Sequence, residues 1–242
     1  MTTLGIIGGL GPMATVVFLK KIIDMTEAGT DQEHISMNIA HYPCIPDRTK
    51  YMLGESGDNP VPALVCLGNK LADEGTDAIA IPCVTAHFFM DELSQNIRIP
   101  IIDGVELTGQ YLKEMGCKSV GLLGTDGTIR TGFLQRKIEE AGIECHTPSD
   151  ECQKLVMKLI YDNVKAGRPV DKEAFTRVSE EMHAKGAEVI VLGCTELSVI
   201  ADGWLPSGRY LDMLDVLARA CVLRFGKLRP EYGSIEITKK ES

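Results

Sequence analysis

EGTDAIAIPCVT, residues 74–85, and KGAEVIVLGCTE, residues 185–196, repeat one pattern in two parts of the chain. Each carries a glycine (Gly75, Gly186), then a short apolar run, and ends in a cysteine eight residues after the glycine (Cys83, Cys194). A short apolar run bounded by turn residues reads as a strand buried on both faces. A second echo joins LGIIGGLG (4–11) to VGLLGTDG (120–127), with glycines at 5, 8, 11 and at 121, 124, 127. A fainter third joins PIIDGVELTGQYL from Pro100 to RYLDMLDVLARAC from Arg209. Three echoes in one order predict two α/β half-molecules related by a pseudo-two-fold axis.

Strand-length runs alternate with helix-period segments, the pattern of parallel sheets covered by helices. The predicted strands are 3–8, 35–41, 78–82, 99–103, 119–124 and 188–193, with helices after Pro12, Asn59, Thr85, Gly104, Thr128, Asp150, Asp171 and Leu211. The fold class is therefore α/β, two pseudo-symmetric parallel-sheet lobes with the active site in the cleft between them. The first lobe is placed at 1–103, with a C-terminal helix (209–228) returning to it, and the second at 104–208. The polar end, YGSIEITKKES, reads as a tail.

Composition narrows the function classes. A hydrophobic share of 44% and a charged share of 24% are those of an ordinary globular protein. A net charge of -9, from 25 basic and 34 acidic residues, argues against nucleic acid, whose binding relies on Lys and Arg at phosphates. No apolar run reaches the roughly 20 residues of a membrane helix. The start, TTLGIIGG, has no basic leader pattern, so a cytoplasmic location and no membrane association are expected. Eight cysteines are spread without any CxxC pair, which reads as reduced thiols rather than a disulfide framework or zinc ribbon.

In a parallel α/β sheet, ligands bind beyond the carboxyl ends of the strands. Cys83 and Cys194 stand there, each followed by a helix start whose N–H groups and dipole favour a thiolate and attract a carboxylate. Across a pseudo-dyad, equivalent cysteines would face one cleft from opposite sides. Moving a proton on and off a carbon acid needs that arrangement: one base takes the proton from one face and an acid returns one to the other. The remaining cysteines, Cys44, Cys66, Cys117, Cys145, Cys152 and Cys221, lack the echo and read as small apolar side chains.

The chain resembles the aspartate/glutamate racemase family, in its aspartate racemase branch, through GIIGGLGPMAT at the start, PDRT (46–49), IPCVTAH (81–87), LGTDGT (123–128), IYDNVKAG (160–167) and LGCTEL (192–197). The resemblance covers nearly the whole chain. It implies an amino-acid racemase working without pyridoxal phosphate, other cofactor or metal, on a small amino acid with carboxylates, aspartate or glutamate, and a homodimer. By resemblance, Cys83 and Cys194 are the two acid/base residues. Thr85, Thr125, Thr128 and Thr195 hold the α-carboxylate and amino group, while Arg48 and Lys165 grip a distal carboxylate. Gly9 lets backbone amides approach a carboxylate, and Glu196 either touches substrate or caps the helix after Cys194. One departure stands out: Val84 occupies the place of the family's asparagine after the first cysteine, which points to an altered substrate.

Three rival readings stay open from the residues. Gly9, Gly11 and Ala14 match a dinucleotide fingerprint, but the second strand ends in Ala40, His41 and Tyr42 rather than an acid. Cys83 and His87, four apart, could ligate zinc with Cys194. A two-lobed cleft could also be a small-acid sensor without catalysis. Within the resembling fold, maleate isomerases and hydantoin racemases are further alternatives, whereas arylmalonate decarboxylases need only the second-half cysteine.

Overall fold

The computed structural model describes residues 2–239. In chain order its regular elements are β1 (Thr3–Gly8), α1 (Pro12–Met25), β2 (Ser36–His41), α2 (Arg48–Met52), α3 (Val61–Asp73), β3 (Ala78–Ala80), α4 (Met90–Asn96), α5 (Gly104–Glu114), β4 (Ser119–Leu123), α6 (Asp126–Thr131), α7 (Phe133–Glu140), β5 (Glu144–His146), α8 (Asp150–Met157), α9 (Lys172–Ala184), β6 (Val189–Leu192), α10 (Thr195–Gly203), β7 (Gly208–Asp212), α11 (Met213–Phe225) and β8 (Glu236–Lys239). A 3-10 segment, Val84–Phe89, precedes α4, and a π-helical segment, Lys158–Lys165, continues α8. The chain forms two compact units. One runs up to Gly104 and includes Leu214–Ser234; the other is Val105–Met213 with the chain from Ile235.

The first unit holds a parallel sheet in the order β2-β1-β3. Ile101 adds only an isolated parallel bridge to Ile79, so the strand predicted at 99–103 is reduced to one pairing. Pro100 lacks a backbone N–H and offers only its carbonyl, which accepts from Ile79 N at 2.9 Å. Ile6, Ile7, Ile79 and Ile81 are fully buried. Helix α3 supplies Val61, Leu64, Leu67 and Leu71, an apolar stripe at helical spacing that packs with Ile7, Ile79 and Ile81.

The second unit's sheet runs β5-β4-β6-β7-β8, parallel except for β8 against β7. Its first three strands repeat the connectivity of β2-β1-β3: the glycine-rich strand sits centrally between the next strand in sequence and the strand that leads to the cysteine. Helix α9 closes one face with Phe175, Val178 and Met182 against Ile190, Leu192 and Tyr210. Residues read from sequence as a polar tail instead form β8. Alternation explains it: Ile235 and Ile237 turn inward, and Arg209 Nη2 donates to Glu236 Oε2 at 3.0 Å across the antiparallel pair. Strand β7 was likewise assigned to a helix starting at 209; that helix begins only at Met213.

Capping ties the helices of the second unit together. Ser149 caps α8 by accepting from Cys152 N, and Glu181 on α9 accepts from both Ser149 N and Ser149 Oγ at 2.6 Å. Burial would raise the Glu181 carboxyl, but hydrogen bonds from Cys152, Ser149 and Lys185 outweigh it and hold the group down to about 2. A carboxylate depressed in this way stabilises the fold above its ordinary value of 4.5, and that contribution is lost as pH falls through about 2. Glu181→Gln is expected to cost about 1–2 kcal/mol in urea unfolding at neutral pH. The gap between variant and parent should close as the titration moves into acid, and a gap independent of pH would contradict the assignment.

Candidate active site

Each unit carries its cysteine just beyond a fully buried strand. In the first, β3 leads through Ile81 and Pro82 to Cys83, which is extended (φ -157, ψ 105) and caps the 3-10 segment. Cys83 is buried, with its Sγ 3.4 Å from Thr85 Oγ1. His87, one turn on, has Nδ1 3.0 Å from the Cys83 carbonyl and accepts from Gly104 N at Nε2, 3.1 Å away. Because Nε2 accepts, the proton sits on Nδ1 and is donated to the Cys83 carbonyl. Both ring nitrogens are thus committed, which leaves neither for a metal. Among the described residues, no group of three or more His, Cys, Asp and Glu side chains is arranged to hold a metal ion.

The other first-unit candidates gather around the same strand ends. Gly9 follows β1, the neighbour of β3. Its φ of +95 and the 2.6 Å that would separate an added Cβ from the Tyr42 carbonyl carbon explain the glycine. Its own amide donates to Thr15 Oγ1 at 2.9 Å. Arg48 opens α2, whose Asp47 cap accepts from Lys50 N, and its buried guanidinium donates from Nη1 to the Ile45 and Pro46 carbonyls. Helix α2 lies against the segment after Cys83, with the Tyr51 and Phe89 rings 5.9 Å apart. Val84 is buried beside Cys83 and offers no polar group.

In the second unit, β6 leads through Gly193 to Cys194, extended (φ -149, ψ 133) at the N-cap of α10. A Cβ on Gly193 would lie 2.8 Å from Leu122 Cδ1, so the small residue lets the cysteine turn follow the sheet closely. Cys194 Sγ donates to Glu196 Oε2 at 3.0 Å, and Thr195 Oγ1 donates to the same oxygen at 3.4 Å. Glu196 Oε1 is buried without a hydrogen bond, 3.8 Å from Lys165 Nζ. That ammonium stands 4.2 Å from the centroid of the Tyr161 ring. Both Tyr161 and Lys165 belong to the π-helical segment, a widened turn often found at functional sites.

Thr125 and Thr128 lie at the end of β4, beside β6. Thr128 N donates to Thr125 Oγ1 at 3.4 Å, and the two hydroxyls are 3.3 Å apart. Gln153 braces this turn by donating to Asp126 Oδ1 and the Gly124 carbonyl. A cavity of about 680 Å³ opens next to it, walled by Asp126, Arg130, Gln153, Met157, Lys158 and Tyr161 among others; Cys194, Glu196 and Lys165 are not in its walls.

The second unit therefore joins Cys194, Thr195, Glu196 and Lys165 in direct contact, and the first joins Cys83 with Thr85. One expectation is reversed at Cys194. A helix start was expected to favour the thiolate of each cysteine. Burial pushes the Cys194 thiol well up, and the charge and hydrogen bond of Glu196 push it further, against a smaller opposing pull from Lys165. Tyr161, Thr15 and Gln153 were missed as contributors. Only Tyr161 left a sequence signal, four residues before Lys165 on one helical face.

The model of the Asp/Glu/hydantoin racemase family matches residues 7–221. The chain belongs to that family. It is 27% identical over 225 residues, 90% of this chain and 96% of the other, to the broad specificity amino-acid racemase RacX of Bacillus subtilis. The Picrophilus torridus aspartate racemase structure superposes with a TM-score of 0.83 at 31% identity, covering 96% of this chain and 98% of that one. A glutamate racemase from Francisella tularensis, solved with D-glutamate, shares the fold at 16% identity and a TM-score of 0.66, over 92% and 81% of the two chains. The family is one of racemases, and the fold is the α/β fold of these relatives. No helix among the described residues is long and apolar enough to cross a membrane.

His87 offers a structural test of the Cys83 turn. His87→Ala leaves the Gly104 N–H and the Cys83 carbonyl without this partner and is expected to cost about 1–3 kcal/mol in denaturant unfolding. An unchanged unfolding midpoint would contradict the two hydrogen bonds.

Proposed function

We propose that this racemase-family chain interconverts the enantiomers of an amino acid without any cofactor, using Cys83 and Cys194 as the two acid/base groups. The observation that carries the reading is the placement of both thiols: each is buried, extended, and just beyond the carboxyl end of the corresponding strand in a repeated β-order. One thiolate would remove the α-proton while the other thiol returns a proton to the opposite face, and the roles exchange with direction.

Aspartate or glutamate is the proposed substrate. Thr85, Thr125, Thr128 and Thr195 would bind the α-carboxylate and amino group, with the Gly9 turn close by. Arg48 and Lys165 would hold the distal carboxylate, a guanidinium and an ammonium suiting that anion. The Picrophilus relative, an aspartate racemase, supports this class. Val84, apolar and buried beside Cys83, favours a second reading in which less polar amino acids are accepted, and the broad specificity in the name of RacX points the same way. A homodimer working in the cytoplasm is part of the proposal.

The test is α-proton exchange followed by NMR: dialysed protein, a panel of L- and D-amino acids, deuterated buffer and no added cofactor. Exchange at aspartate or glutamate from both enantiomers is expected. Exchange confined to non-acidic amino acids would replace the substrate class, and exchange with none would point to a binding protein. Cys83→Ala and Cys194→Ala should each lower racemisation about a hundredfold or more. Full racemisation by Cys83→Ala would overturn the two-thiol mechanism.

A further inference from the structure

The two cysteines differ in a way the repeat does not predict. Position +2 from the cysteine is Thr85 in the first unit and Glu196 in the second. Thr85 brings a neutral hydroxyl to 3.4 Å from Cys83 Sγ, whereas Glu196 brings a carboxylate oxygen to 3.0 Å from Cys194 Sγ. Glu196 is itself buried, and its second oxygen has no hydrogen bond. A carboxylate in such a setting is costly unless neighbours compensate it. Its compensation comes from the Cys194 and Thr195 hydrogens on one oxygen and the Lys165 ammonium near the other.

We propose, on the basis of the racemase reading above, that Glu196 is a positioning residue that holds Cys194 in its thiol form and so makes it the resident proton donor of the pair. The S–H bond points at Glu196 Oε2 and stays formed until a carbanion accepts the proton. In that step the S–H bond breaks, a C–H bond forms at the α-carbon, and the electron pair remains on sulfur. The thiolate then lies beside a carboxylate, a like-charge contact that favours return of a proton, with Lys165 limiting the repulsion. That proton comes from the α-carbon in the reverse direction, or from solvent after product leaves as Cys83 gives up to solvent the proton it took. The groups facing Cys194 are Glu196 from α10 and Lys165 from the π-helical segment, and their charges oppose each other. The raised Cys194 thiol has the sign this arrangement demands. Cys83 has a neutral hydroxyl, that of Thr85, where Cys194 has the carboxylate.

Glu196→Gln isolates the charge, because the amide oxygen can still accept the thiol hydrogen. Thiolate ultraviolet absorbance is titrated in the parent and in Glu196→Gln, each read as a difference from the same protein carrying Cys194→Ser. The variant's Cys194 is expected to ionise at lower pH than the parent's. The donor exists only below its ionisation, so the alkaline limb of kcat/KM should move to lower pH in step, while the melting temperature stays close to the parent's. An unmoved Cys194 titration overturns the proposal, as does a moved titration with an unmoved alkaline limb. The thiol titration needs no turnover, so it judges the Cys194 and Glu196 pair even if the amino-acid exchange experiment rejects the racemase reading.

Discussion

A strand covered on both faces can offer chemistry only where it ends. Every residue of β3, β4 and β6 is buried, so no side chain along them reaches a ligand, and the carboxyl ends of these parallel strands become the available places for reactive groups. Cys83, Cys194 and the Thr125 turn all stand at such ends. Placing a thiol there has a further consequence: the polypeptide must leave the sheet at once, and it does so in extended cysteines that cap the following helical segment. The ends of buried strands therefore determine both where the thiols are and how little solvent they meet.

Low solvent exposure makes neighbouring charge decisive. In water a carboxylate beside a thiol would be screened, whereas at a site where both side chains are nearly inaccessible the interaction is felt strongly. The helix start at α10 acts in the opposite direction, but its effect is modest beside desolvation and a full charge at hydrogen-bond distance. Two cysteines on equivalent strands thus have different neighbours, a hydroxyl two positions on in one case and a carboxylate in the other.

Much of this architecture was legible in the chain. The paired glycine-to-cysteine runs located β3 and β6, and the glycine echoes located β1 and β4, because buried parallel strands need near-continuous apolar residues that stand out from helical spacing. Short edge elements were not legible. β5 has three residues and too little periodicity to register, β7 ran without a break into the apolar pattern of α11, and β8 was hidden by its charged residues. Those charges turn out to be structural, since Arg209 and Glu236 pair across the strands. At the candidate site, the partnerships of the side chains were not readable. The sequence places Glu196 two positions after Cys194, yet whether it caps, binds or bonds to sulfur depends on a rotamer. His87 shows the same limit: its spacing from Cys83 suits a metal ligand, and only the backbone of Gly104 reveals that its second nitrogen is occupied.

The commitment of Lys165 bears on the substrate proposed above. Its ammonium is flanked by the Tyr161 ring and lies 3.8 Å from Glu196, a distance that leaves Coulomb attraction without a tight hydrogen bond. An ammonium carries three donors on a flexible stem, so one lysine can serve a second carboxylate without leaving the first. An acidic side chain arriving there would share the cation, weakening its hold on Glu196 and strengthening the repulsion that Glu196 exerts on a thiolate at Cys194. Binding of a dicarboxylic amino acid would then reinforce the thiol form of Cys194 at the moment a donor is required, whereas a neutral amino acid would leave that balance unchanged. In the proposed mechanism, substrate charge would bear on the protonation of Cys194 through Lys165.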